Sequence, residues 1–391
     1  GLTSVDVYEK IAIPDFCFAQ CGSLESVTIH NALVSVGTGA FSECTSLTTF
    51  TWADGATAET LGEQAFYGSS ALQSFTLPDC NVTLGNYCFL DCTALTTLVF
   101  DTNSVVDEIL GSVFQNTALA NFNVENSANY TVDGDNGLLL SADGNKVVFA
   151  AVAHDYSGGI TLDYAEVGAG AFAGTNVTSV TFSGAVKVGN YAFANCADLV
   201  SVTFSEAEGT TVGKHAFNYD AQLNSVVNLD KVLNVGDYAF ANSGLKEVTL
   251  GANGTFGEGA FFQSKVENVT IGANATFGLG AFQNCASLTT VNMPSEGGVH
   301  FGTACFANDA LLSTIDLSKT DEVIGSEAFY ACTSLSVANL ANVKEVGSYA
   351  FADCANLRSV NLPVVEKIGE GAFGRYAEEG AAPAITEIVL P

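Results

Sequence analysis

The chain has 391 residues, 48% hydrophobic and 14% charged: enough apolar material for a large core, and too little charge for a disordered acidic tail. Forty-two Asp and Glu against 12 Lys and Arg give a formal net charge of -30. Such a surface repels phosphate backbones and anionic headgroups, which argues against nucleic acid or bare membrane as partners. With no run of about 18 apolar residues, no direct membrane insertion is expected of this segment.

Taken in chain order, a pattern is already running at Leu2-x-x-Val5-x-Val7 and is still running at "ITEIVLP", Ile385 to Pro391. An upstream signal segment is therefore read as having been removed. Between these ends one phrase recurs. Aligned on its Phe, it gives Phe18, Phe41, Phe66, Phe89, Phe114, Phe172, Phe193, Phe217, Phe240, Phe261, Phe282, Phe306, Phe329, Phe351 and Phe373. These fifteen copies are spaced 21 to 25 residues apart, except for one gap of 58. The residue before each Phe is Ala, Cys or Val, and the residue four before is Gly in thirteen copies. The exceptions are Pro14 and a one-residue slip at Gly111. About six residues after each Phe comes Leu-x-x-Val-x-Leu or a close variant, as in Leu24-Val27-Ile29 and Leu357-Val360-Leu362.

Each part of the phrase has a physical reading. Val-x-Leu alternates with period 2 and predicts a short strand with one buried face. The Gly suits a turn needing positive φ or close backbone approach. A small residue beside a large one lets Phe rings stack in register. The expected spine includes Phe41, Phe193, Phe240, Phe282, Phe329 and Phe351. One 23-residue unit cannot bury such a face, but stacked copies can. The expectation is a single solenoid domain, 1–391, of about sixteen coils.

Most cysteines obey the same register. Cys21, Cys44, Cys92, Cys196, Cys285, Cys332 and Cys354 lie three after the Phe, and Cys17, Cys88 and Cys305 just before it. They read as small buried apolar residues alternating with Ala, Ser and Thr, with reduced thiols. A disulfide framework is the competing reading. The long gap predicts strands over 137–141 and 146–151, joined by Ala142-Asp143-Gly144-Asn145, in which Asp-Gly signals a hairpin turn. This hairpin insertion, 125–158, is expected to project from or cap the wall.

"LTTVNMP" from Leu288, "VEKIGEGAF" from Val365 and "AFANCADL" from Ala192 carry a resemblance to the BspA-like leucine-rich repeat family. The resemblance spans essentially the whole chain. It implies a right-handed leucine-rich repeat solenoid of short β-strands, with turns or short 3-10 or helical segments on the convex side and an inserted β-hairpin. It also implies an extracellular or cell-surface module of a microbe, active in adhesion or protein binding, with no shared catalytic residues. A passive spacer or stalk on the cell surface is the alternative.

Residues between the buried strand positions form an open polar face. Ser179, Thr181, Ser201, Thr203, Asn268 and Thr270 are its candidate binding residues. Such columns also follow from β propensity and solubility alone. No enzyme, cofactor or metal site is expected. Carboxylates on the open face, such as Glu247 and Asp316, lie several coils apart, whereas a glycosidase needs a close pair. His30, His154, His215 and His300 lack metal-ligand spacing. "DGDNG" from Asp133 hints at a calcium loop, but Gly137 and Gly144 stand where ligands are needed. Trp52, the single Trp, sits in an apolar strand slot. The expected partner is a protein, host matrix or another surface protein. It would use the open face with either the hairpin or the loop Gly374–Pro383.

Overall fold

The computed structural model describes residues 1–53, 55–109, 112–374 and 385–391. The chain is a β-solenoid of about sixteen coils. It divides into two compact units. The first holds Gly1–Gly159, Tyr164–Val177 and Val188–Ala197; the second holds Ile160–Asp163, Thr178–Lys187 and Asp198–Pro391. Among the described residues the only helix is the single 3-10 turn Leu229–Lys231, and turns fill the remainder of each coil.

In the first unit each coil as far as residue 109 contributes two strands. The longer strand carries the Val-x-Leu alternation. Ser4–Val7, Ser26–Ile29 and Thr49–Trp52 pair in parallel with Val5, Val27 and Phe50 in register. The shorter strand precedes the Gly, and Ala12–Ile13, Ser35–Val36 and Thr60–Leu61 form a second parallel wall. The second unit repeats this plan. Ile160–Leu162, Ser179–Phe182, Ser201–Thr203 and Ser225–Val227 form a long-strand sheet. Thr211–Val212, Asn234–Val235 and Thr255–Phe256 belong to its short-strand wall.

The Phe residues sit on the turn that closes each coil. Phe18 and Phe373 are half-buried, and the other thirteen of the fifteen are buried. Within the first unit Phe41 stacks on Phe66 at 5.5 Å, and Phe172 on Phe193 at 4.9 Å. Within the second, Phe240 stacks on Phe261 at 5.6 Å and Phe282 on Phe306 at 5.3 Å, with planes 8° and 3° apart. Such offset pairs add to the area each ring buries.

The turn backbone explains the Gly. Four before the Phe, a Cβ would meet the preceding coil: at Gly62 it would lie 2.7 Å from the Gly37 carbonyl carbon, at Gly236 2.6 Å from the Lys214 nitrogen. Close approach, not positive φ, demands glycine there. Positive φ falls instead two residues either side of the Phe, largely on other residues: Gln64 at 54°, Tyr238 at 54°, Asn242 at 57°. Each such residue is strained by about 1 kcal/mol. The return is a row of bonds to the next coil. The N–H groups of Gly39, Phe41 and Glu43 donate to the carbonyls of Glu63, Ala65 and Tyr67 at 2.8, 2.8 and 2.6 Å.

The slot three after the Phe is more specific than a small apolar site. Over its described copies it holds Cys, Ser, Thr or Asp, never Ala. Its buried Cys side chains and Ser69 donate to the carbonyl of the preceding coil's Phe: Cys44 Sγ to Phe18 at 3.2 Å, Ser69 Oγ to Phe41 at 2.9 Å, Cys332 Sγ to Phe306 at 3.1 Å. The buried cysteines of this slot are thus donors, and the eleven cysteines are thiols and not disulfides. Burial pushes the Cys44 thiol up to about 11 and the Cys92 thiol to about 12, so neither is a thiolate at neutral pH. Cys17 is exposed, and Cys21 half-buried, against the expectation of uniform burial.

The hairpin differs from its expected form. Three antiparallel strands, Tyr130–Asp133, Leu138–Ser141 and Lys146–Ala150, make it, and the third pairs in parallel with Glu166–Val167. It therefore joins the wall and does not merely project from it. Leu138, Leu139, Val147, Val148 and Phe149 are buried. Phe149 meets Phe114 edge to face at 5.1 Å, supplying a ring where the repeat omits one. The loop Gly374–Pro383, apart from Gly374, lies outside the described residues, as does the slip at Gly111.

Candidate functional site

All six candidate face residues belong to the second unit. Ser179, Ser201 and Ser225 align across neighbouring strands, as do Thr181, Thr203 and Val227. Asn268 and Thr270 belong to a different sheet, Glu247–Thr249, Asn268–Thr270 and Thr290–Asn292. Thr181 and Thr270 are exposed and the other four half-buried. The structure thus brings them together as two groups on one kind of wall, not as one unbroken patch.

The break between the groups has a local cause. The strand motif of this coil reads Leu223-x-x-Val226-x-Asn228, with Asn in a slot where Leu250 and Ile271 stand in later coils. Asn228 takes φ 61°, a left-handed conformation that Asn tolerates better than most residues. Its Nδ2 donates to the Phe204 carbonyl at 2.8 Å. Leu229 then fills the core slot at 3% exposure, and the 3-10 turn Leu229–Lys231 carries the chain outward. Gly251 accommodates the turn: a Cβ there would lie 2.2 Å from the Asp230 carbonyl oxygen.

The divergence opens a cavity of about 650 Å³ lined by Asn224, Asn228, Asp230, Lys246, Glu247 and Glu267, among others. Lys246 pairs with Glu267 at 3.3 Å, and Asp230 with Lys231 at 3.0 Å. Glu247, exposed on its strand, has no ion-pair partner among the described residues. The polar residue at position 228, in a slot that otherwise holds apolar side chains, is the sequence signal for this cavity, and strand alternation alone does not reveal it.

Elsewhere, polar groups are engaged locally. His30 pairs with Asp6 at 2.8 Å and stacks on Tyr8 at 4.3 Å; His300 pairs with Asp321 at 2.7 Å. The Asp133 carboxylate accepts bonds from the Asn136 side chain at 2.8 Å and the Tyr164 hydroxyl at 3.0 Å, which builds a turn. Above all it is the Asn136 side chain that holds the Asp133 carboxyl below the usual range. Trp52 is half-buried, its Nε1 donating to the Thr76 carbonyl at 2.9 Å. No group of three His, Cys, Asp or Glu among the described residues could hold a metal ion. No described helix is long and apolar enough to cross a membrane.

The family model described as BspA type leucine rich repeat region matches residues 11–133, 165–289 and 254–377. Among solved structures, a leucine-rich repeat protein from Eubacterium ventriosum is similar at 19% identity, over 97% of this chain and 84% of that one, with a TM-score of 0.46. One from Bacteroides ovatus is similar at 17% identity, over 99% and 83%, with a TM-score of 0.41. A leucine rich cell surface protein from Faecalibacterium prausnitzii is similar at 17% identity, over 75% and 83%, with a TM-score of 0.42. No curated protein matches the sequence.

Proposed function

The chain belongs to the BspA type leucine rich repeat family, and from that premise we propose that it is a microbial protein-binding or adhesion module, extracellular or displayed on the cell surface. Its binding face is the long-strand wall of the second unit, with Ser179, Thr181, Ser201, Thr203, Asn268 and Thr270 as contact residues. The observation that supports this reading most is the break at Asn228. A stack of similar coils offers a similar surface everywhere, so recognition needs a departure from the repeat. Here the departure is a polar cavity lined from the two strands that lie between those groups, Ser225–Val227 and Glu247–Thr249. Binding residues gather where a rigid scaffold holds irregular backbone.

The alternative is a passive spacer. The aromatic stacks and inter-coil hydrogen bonds favour it, because they stiffen the chain whether or not anything binds. Immobilised extracellular-matrix proteins and intact bacterial surfaces, titrated with the purified chain, separate the two. Saturable binding, lost on introducing Thr181→Trp, Thr203→Trp or Thr270→Trp without a change in the thermal midpoint, supports recognition. Binding absent throughout, or indifferent to all three changes, leaves the spacer.

A further inference from the structure

We infer that the cavity between strands Ser225–Val227 and Glu247–Thr249 receives an arginine side chain of the protein partner, with Glu247 as its counter-ion. This deepens the protein-binding reading and rests on it. The argument runs from shape to charge to hydrogen bonds. At about 650 Å³ the cavity is far larger than one water needs. Its lining is polar and its carboxylates differ in state. Glu267 is occupied by Lys246 and Asp230 by Lys231. Glu247 is the carboxylate of the lining with no ion-pair partner among the described residues, and it stands on the strand bordering the cavity.

A cation entering there gains an acceptor without breaking an existing pair. An anion would face Glu247 with Lys246 already engaged. The net charge of -30 attracts a basic partner from a distance and its effect fades with salt. Arginine suits the lining better than lysine. Its planar fork carries five donors in fixed directions, and Asn224, Ser225 and Asn228 supply neutral side-chain oxygens beside the carboxylate.

Calorimetric titration with a tetra-arginine amide peptide tests this, against tetra-citrulline, its neutral isostere, and tetra-lysine. Glu296→Gln, which removes one exposed charge on a loop outside the lining, controls for diffuse attraction. The expected result is saturable binding of tetra-arginine, weakened about tenfold by Glu247→Gln and unaffected by Glu296→Gln. Tetra-citrulline should not bind, and tetra-lysine should bind more weakly than tetra-arginine. Equal loss in the two variants, no loss in Glu247→Gln, or tetra-lysine matching tetra-arginine overturns the inference. If partner capture is lost with the Thr→Trp variants while the peptides never bind, only this inference falls. If the peptides bind as stated but no partner is captured, the protein-binding reading falls.

Discussion

Two stretches depart most from the repeat, and they depart in opposite directions. The segment 130–150 turns its extra residues inward: Leu138, Leu139, Val147, Val148 and Phe149 are buried, and Phe149 supplies the ring that the Phe spacing leaves out. The segment 223–251 has no insertion and turns polar residues outward: Leu229 keeps the core filled while Asn228, Asp230 and Glu247 border a cavity. The difference separates two meanings of an irregular repeat. An insertion that repairs the core is scaffold, whatever its length. A single residue that disrupts a strand and leaves polar groups outside is a candidate for recognition. If that division holds, changes in the first stretch should act on stability and changes in the second on binding.

The largest expected effect lies in the first stretch. Phe149→Ala removes a buried ring held between Phe114 at 5.1 Å and Phe122 at 6.4 Å, and should cost about 3–5 kcal/mol. Urea unfolding followed by circular dichroism measures it. A loss under 1 kcal/mol would mean that the hairpin is an ornament, and would break the comparison at its stronger end.

Gly251→Ala should come next. A Cβ 2.2 Å from the Asp230 carbonyl oxygen forces the 3-10 turn to move, at a cost of about 1–3 kcal/mol. This change sharpens the comparison, because it should also reshape the cavity and weaken tetra-arginine binding. Lost stability with unaltered binding would show that the outward segment is ordinary packing.

Asp309 is an inward departure that stays polar. It occupies the donor slot three after Phe306, is fully buried, and accepts the Cys285 N–H at 2.8 Å through Oδ1. Its other oxygen has no hydrogen-bond partner among the described residues. Burial pushes its carboxyl well above the usual carboxylate range, among the thiols of Cys285, Cys305 and Cys332. The sign follows from linkage. An acid whose folded pKa exceeds its unfolded value contributes stability that is complete below about pH 4 and is lost as the pH rises to and through the folded value. The wild type should therefore lose stability between pH 5 and pH 8 relative to Asp309→Asn, which stays neutral throughout. Parallel denaturant profiles for the two proteins over that range would refute a protonated Asp309.

What could be read from the sequence, and what could not, divides by the range of the interaction. Coil length, strand position and the ring on each turn follow from periodicity, because Val27-x-Ile29 and the Phe41 block each state their own burial. The positive φ at Gln64 and Tyr238 is invisible locally, since bonds to the neighbouring coil impose it on residues with no left-handed preference of their own. The donor slot was half-legible. Fourteen described positions that never hold Ala signal a hydrogen bond, and small size alone does not account for that exclusion. At the candidate face, alternation marks Thr181 and Thr203 as outward. Only the coil-to-coil comparison of Asn228 with Leu250 marks where the sheet breaks, and the hairpin's burial depends on the pairing of Lys146–Ala150 with Glu166–Val167, a contact that no single segment announces.

The smallest expected effect is the most discriminating. Glu247→Gln keeps the size and outward position of an exposed strand residue that has no ion-pair partner, so stability should change by no more than about 0.5 kcal/mol. Coulomb attraction to a cation in the cavity is nevertheless removed, and binding of tetra-arginine should fall about tenfold, equivalent to about 1.4 kcal/mol. Phe149→Ala, studied at a temperature where it remains folded, should do the reverse: unfold more easily and bind the peptide unchanged. The pair forms a crossed test. If Glu247→Gln destabilises the fold, its carboxylate has a structural partner and the cavity is a packing flaw. If Phe149→Ala weakens the peptide, the inward departure reaches the binding site, and scaffold and site are not separable in this protein.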